Sequence, residues 1–190
     1  MNGKIRDQDK SVLRDTLRKA SEVRLKQYLD QPEITVETVK EQGTLIFGFW
    51  MSLILIFGPE FQITFKVHYN TKSIQKMSRN ALPNNSSSDV VADFVKEYCN
   101  LVAGLIKSYF ESIHVPSGVS LPLVSRGFDD VFSIHQLMSD SILDIWTLSC
   151  QEESITCIAS CDIYDHSVFS KILTTPLDPD FQNSSNIEFL

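Results

Sequence analysis

Positive charge is scarce in this sequence: 17 Lys and Arg stand against 24 Asp and Glu, for a formal net charge of −7. That balance argues against nucleic acid, and against an anionic membrane surface, as the main partner. The bases that are present gather early, in KIRDQDKSVLRDTLRKASEVRLK, where they alternate with acids as on a solvated helix face. A bilayer-spanning run is also missing. The longest apolar stretch, TLIFGFWMSLILIFG at 44–58, has 15 residues, short of the ~20 a membrane helix needs. Its richness in β-formers predicts a buried strand or strand pair instead. The opening MNGKIRDQDK is polar and carries no signal-like apolar region.

Metal and disulfide patterns are lacking as well. Cys99, Cys150, Cys157 and Cys161 form no C-x-x-C, and no histidine pairs with them at ligand spacing. Cys157 and Cys161 would share a strand face about 13 Å apart in extended chain, too far for a direct bridge. All four read as reduced core cysteines of a cytosolic protein. His68, His114, His135 and His166 are scattered, and none meets Cys, Ser or Asp at a catalytic spacing.

The chain has 190 residues, 43% of them hydrophobic and 22% charged, which suits one domain with a sizeable core. Residues 5–29 read as an amphipathic helix with Val12, Leu13, Leu17, Ala20, Val23, Leu25 and Leu29 on its apolar stripe, stopped by Pro32. ITVETV (34–39) alternates like a short strand. Segments 44–57 and 61–69 make two strands joined by GPE. In the second, Phe61, Ile63, Phe65 and Val67 form a core face, and Gln62, Thr64, Lys66 and His68 a polar one. Asn70 or Thr71 then caps a short helix at 71–82, and PNNSSSD leads to Ser88 as the cap of a long helix at 89–113. Three more strands are expected at 119–127, 141–150 and 154–164, the last two joined at QEE. FDDVFS (128–133) reads as a polar loop. No βαβ alternation occurs, so the expected class is α+β, an antiparallel-rich sheet covered by helices. The domain is expected to span 1–164, and 165–190 to be a polar, partly loose tail.

The long helix carries the chemistry. In DFVKEYCNLVAG, Asp93, Glu97, Asn100 and Gly104 recur at intervals of four, three and four. At 100° per residue they fall within about 60° of one another. The intervening residues are largely apolar, so the helix is mostly buried and this stripe is its outward window. A merely wet face is the simplest explanation of such a stripe. Two residues argue for more. Gly104 inside a helix costs ~1 kcal/mol relative to Ala, which makes sense where another backbone must come close. Asn100 is a poor helix former whose amide both donates and accepts. An amide that orients water, beside a carboxylate that grips a cation, suits in-line attack on a phosphoryl group.

Asp93, Glu97, Asn100 and Pro122 spell D-x3-E-x2-N-x21-P. This resembles the signature of the CheC/CheX/FliY chemotaxis phosphatases, and VSLPLVSRG is similar to the strand that follows the motif helix in CheX. The element order is similar over roughly residues 10–164. The resemblance implies a CheC-like fold and removal of phosphate from the aspartyl-phosphate of a CheY-like response regulator. It implies that Asn100 orients the attacking water and that Glu97 pairs with the regulator's active-site lysine. Asp93 is expected to support the helix as a first-turn acid, and Pro122 to fix the strand edge beside it. Only one motif copy is present: TKSIQKMSRNAL, at the place of a first copy, has no Glu, and its Asn80 lacks the spacing. The chain is therefore similar to CheX, which implies a homodimer formed by sheet continuation. No cofactor or metal is expected on this chain, since the Mg2+ of such a reaction belongs to the regulator. The rival reading is a non-catalytic module of the same fold that docks a regulator or another signalling partner, and a third is an unrelated α+β structural domain. Trp50 and Trp146 are expected in core or interface. Arg126, beside Gly127, could meet a phosphate or a partner's acid.

Overall fold

The structure, a computed structural model, describes residues 7–27, 29, 33–39, 48–78, 81–83, 85–127, 141–165 and 171–172. Pro32, residues 44–47, Asn80, the 128–133 loop, His135, His166 and most of the 165–190 tail lie outside them, and so do the expectations placed there. The fold is α+β, as the strand and helix patterns predict. Helix α1 (Asp7–Lys26) leads into strand β1 (Thr35–Thr38). The hairpin β2 (Trp50–Phe57) and β3 (Phe61–Tyr69) is followed by α2 (Thr71–Met77) and α3 (Ser88–Ser112). Two short strands, β4 (Gly118–Val119) and β5 (Leu123–Arg126), precede the hairpin β6 (Ser141–Cys150) and β7 (Glu153–Ile163). All seven strands form one antiparallel sheet in the order β1-β6-β7-β3-β2, with β4 and β5 both on the outer edge of β2.

Alternation decides which face meets the helices. Phe61, Ile63, Phe65 and Val67 of β3 are fully buried, and their neighbours across the ladder continue the layer: Ile54 and Ile56 on β2, Cys157, Ala159 and Cys161 on β7, Trp146 and Leu148 on β6. Over this face lie α1 and α3. Each large side chain buried here contributes roughly 1.5–3 kcal/mol. Polar pins fix the helices in register. The Tyr98 hydroxyl of α3 donates to the Ser21 carbonyl of α1 at 3.0 Å, and the Trp146 indole donates to Ser21 Oγ at 3.0 Å. Arg18 forks onto Asp144 of β6 at 2.6 and 2.7 Å, and Asp144 is almost wholly buried. No described helix is long and apolar enough to cross a membrane.

Several boundaries differ from the sequence reading, each for a physical reason. The strand expected from 44 begins at Trp50, because Gly48 and Phe49 form a bend. A Cβ at Gly48 would lie 2.5 Å from the Tyr69 nitrogen, so only glycine lets the two chains cross there. The expected polar face of β3 is covered at one end: Lys66 and His68 are buried with Met51 and Ile158, and Gly127 packs against the His68 ring. The strand expected over 119–127 is two strands, broken at 120–122. Helix α2 stops at Met77, not at 82, and α1 at Lys26. Asn70 occupies the N-cap position of α2 without capping it; its Oδ1 accepts from the Phe49 N–H at 3.0 Å instead. The cap of α3 is Ser87, one residue before the expected Ser88. Beyond the expected domain boundary at 164, Ile172 is buried, and its carbonyl accepts from the Tyr109 hydroxyl at 3.3 Å.

Candidate functional site

Helix α3 exists because one broad side of it is core. Val91, Val95, Tyr98, Cys99, Val102, Ala103, Leu105, Ile106, Tyr109 and Phe110 are all buried. Two contacts set it against the sheet: Cys99 Sγ lies 3.5 Å from Ser52 Oγ, and the Phe110 ring stacks on Phe61 at 4.3 Å between centroids. A helix held along its whole length this way presents its opposite side rigidly.

That opposite side is the predicted stripe. Asp93 is not the first-turn acid expected, since α3 begins at Ser88 and Asp89 holds that place; it is exposed in the second turn, its Oδ1 2.5 Å from Lys96 Nζ. Glu97 is exposed, Asn100 is half-buried, and the Asn100 amide donates to Glu97 Oε2 at 3.4 Å. Gly104 is half-buried further along the same line. The structure therefore brings Asp93, Glu97, Asn100 and Gly104 together on one face. From Asn100 to Glu111 the stripe forms one wall of a groove of about 500 Å3, whose other wall is Val119, Ser120 and Leu121. Lys107 and Glu111 pair at 3.3 Å along its helix side.

Pro122 belongs to the β4–β5 break and acts through its neighbours. Proline offers no N–H to a ladder, so pairing with β2 resumes only at Leu123. Before the break, Ser120 holds the chain to β2 twice: its N–H donates to the Leu55 carbonyl at 2.9 Å, and its Oγ accepts from the Leu55 N–H at 3.0 Å. Leu121, released from the ladder between them, is 85% exposed at the groove's lip. Leu123 is 61% exposed beside it.

The sequence reading missed this second wall. Lys107, Ser108 and Glu111 continue the three-and-four spacing beyond Gly104, so the helix side of the groove was within reach of the same argument. Leu121 carried no such signal, since an apolar residue inside VSLPLVSRG reads as an inward strand position. Cys99, next to Asn100 in sequence, points the other way. Complete burial pushes its thiol up to about 12, so it is no nucleophile for this site. Among the described residues no group of three His, Cys, Asp or Glu stands where it could hold a metal ion. A carboxylate and an amide projecting from a stiff helix enclose nothing by themselves.

No protein-family model matches this chain, and no curated protein matches it. Solved structures do. The CheX chemotaxis protein from Vibrio vulnificus superposes with a TM-score of 0.59 at 15% identity, covering 78% of this chain and 97% of that one. The CheX of the CheX–CheY–BeF3–Mg2+ complex from Borrelia burgdorferi gives 0.59 at 13% identity, covering 80% and 97%. The FliM middle domain from H. pylori gives 0.56 at 12% identity, covering 88% and 99%. At such identities the likeness is one of fold: the chain has the CheX/CheC-like fold that its motif spacing implied.

Proposed function

We propose that this protein is a phosphatase of a phosphorylated, CheY-like response regulator. One observation carries the reading: Glu97 and Asn100 stand side by side, one turn apart, on the outward line of an otherwise buried helix. Asn100 holds the attacking water in line with the aspartyl-phosphate, and Glu97 pairs with the regulator's active-site lysine and fixes the approach. Phosphoryl transfer of this kind asks for positioning more than for covalent chemistry. Asp93, tied to Lys96, supports the helix, and the Ser120–Pro122 break shapes the wall opposite Gly104. The Mg2+ is the regulator's, and no cofactor sits on this chain. A neighbour in fold, the B. burgdorferi CheX, is held in a complex with CheY, BeF3 and Mg2+, which supports a regulator as the partner.

The same reading places the protein in the cytoplasm, as a homodimer formed by sheet continuation. Among the described residues β1 ends the sheet on one side. The other edge is interrupted at 120–122, which leaves β1 as the edge for pairing. The second reading, a docking module without catalysis, draws on the FliM–SpeE complex from H. pylori, a protein assembly that shares the fold with a TM-score of 0.55.

The deciding experiment follows phosphate release from a panel of the organism's phosphorylated response regulators. Wild-type protein is compared with the Glu97→Ala/Asn100→Ala double variant. Acceleration by the wild type alone, on one or a few regulators, is the expected result. Binding without acceleration by either protein would leave the docking module.

A further inference from the structure

Arg126 ends strand β5, and its guanidinium carbon lies over two aromatic rings, 4.1 Å from the centroid of Trp50 and 4.8 Å from that of Phe49. The two rings meet edge to face at 5.7 Å. The platform beneath them is fixed by backbone. The Phe49 N–H donates to Asn70 Oδ1 at 3.0 Å, and its carbonyl accepts from the Gly127 N–H at 3.0 Å. At Gly127 a Cβ would sit 2.1 Å from the Gly48 carbonyl oxygen, so this close crossing admits no other residue. Phe49 itself is 62% exposed. Lys96 and Lys107 of α3 are paired with Asp93 and Glu111. Arg126, exposed, has no carboxylate partner among the described residues.

Register places Arg126 beside the catalytic stripe. It pairs with Trp50, two residues along β2 from Ser52, and so lies on the helix-bearing face. Cys99 marks the level of Ser52, and α3 runs from there toward Phe61 at its C-terminal end. Two strand residues are about 7 Å, and about 7 Å is between four and five helix residues. Arg126 therefore stands at the level of the Asp93–Glu97 turn. It also stands on the β4–β5 edge toward which the stripe opens at Asn100 and Gly104.

We infer that Arg126 is a docking residue that forms a bidentate pair with a carboxylate on the rim of the regulator's phosphorylation site. The inference rests on the regulator-phosphatase reading and names a further contact in it. A site that holds an aspartyl-phosphate and Mg2+ is built from carboxylates, and a chain of net charge −7 repels it. A guanidinium already ordered on two rings meets a carboxylate with its fork preformed and little freedom left to lose.

The test is phosphate release and binding with wild type, Arg126→Gln and Arg126→Lys on the regulator that the wild type acts on, at low and moderate salt. Thermal melting of each variant confirms its fold. Arg126→Gln is expected to raise KM and the Kd for the phosphorylated regulator about tenfold at low salt, with kcat little changed. Arg126→Lys is expected to recover only part of this, because the charge returns without the fork. The deficit of Arg126→Gln should shrink as salt rises. Unchanged KM, Kd and salt dependence in a folded Arg126→Gln would overturn the inference while leaving the phosphatase standing. A wild type that binds a regulator without dephosphorylating it would overturn the phosphatase instead, and weaker binding by Arg126→Gln would then still uphold this contact.

Discussion

Asn100 reaches Glu97 across one turn of α3, its amide nitrogen 3.4 Å from the carboxylate oxygen. That is long beside the usual ~2.9–3.0 Å of such bonds. The contact orders the two side chains without locking them, and either can leave it for a partner at little cost.

The two residues should therefore fail differently when removed. On the phosphatase reading proposed above, Asn100→Ala is expected to lower kcat by about 100-fold or more while KM stays close to wild type, because the water would lose its guide. Glu97→Ala is expected to act mainly on KM, through the lost ion pair at docking. Neither should shift the melting temperature much, since Glu97 is exposed, Asn100 is half-buried, and neither belongs to the buried core. Steady-state phosphate release at varied regulator concentration separates the two. A fall in kcat for Glu97→Ala equal to that for Asn100→Ala would contradict the division of roles.

The stripe was legible in sequence because helical geometry is regular: spacing alone places 93, 97, 100 and 104 on one line, whatever surrounds them. The hairpin faces were legible for the same reason at Ile63 and Phe65. What escaped depended on contacts between distant segments. Nothing local distinguishes His68 from Thr64, yet His68 is buried, with Gly127, just past the end of β5, packed against its ring. The exposure of Leu121 follows from Ser120 replacing a backbone group in the β2 ladder, a choice that VSLPLVSRG does not announce. Asn70 looked like a helix cap and spends its oxygen on Phe49, twenty-one residues away. The pairing of Arg18 with Asp144, on elements far apart in the chain, had no local sign either.

That pair makes an asymmetric prediction. Asp144 is 5% exposed and the Arg18 side chain 23%, so the guanidinium has a route to water that the carboxylate lacks. Arg18→Met strands a buried carboxylate and is expected to cost about 3–5 kcal/mol. Asp144→Leu should cost less, because Arg18 can turn outward. The double variant, apolar on both sides, is expected to return close to wild type. Urea unfolding of the four proteins measures this. Costs that simply add in the double variant would show that the two side chains are not coupled.

Two buried tyrosines on neighbouring elements should respond with opposite signs to loss of the hydroxyl. Tyr98 donates to the Ser21 carbonyl, so Tyr98→Phe is expected to cost about 1 kcal/mol. Tyr69 is equally buried, and its hydroxyl has no hydrogen-bond partner among the described residues. Tyr69→Phe removes an unsatisfied group and is expected to be neutral or to stabilise by up to about 1 kcal/mol. In a chain of this size that is a rise in Tm of roughly 2–4 °C. A clear loss of stability in Tyr69→Phe would mean that the hydroxyl serves a partner after all, such as an enclosed water.

Thiol chemistry tests the core directly. Cys99, Cys157 and Cys161 are completely enclosed, and burial raises each thiol above its ordinary value of 9.0, Cys99 to about 12. Ellman's reagent at pH 8 is therefore expected to miss all three in the folded protein. Cys150, 9% exposed, should react first and slowly. The same shift sets the direction of alkaline stability. A thiol that keeps its proton in the folded state but loses it on unfolding favours unfolding once the pH passes the unfolded value. The contribution is thus intact below about pH 9 and is lost progressively above it. Cys99→Ala trades a thiol beside Ser52 for a small cavity, so it should be less stable near pH 7 yet fall less steeply between pH 9 and 11. Parallel stability curves for wild type and Cys99→Ala across that range would show that Cys99 ionises alike in the folded and unfolded states, so that burial does not hold its proton. Rapid labelling of Cys99 at pH 8 would show that α3 opens far more readily than a helix packed on Ser52 and Phe61 should.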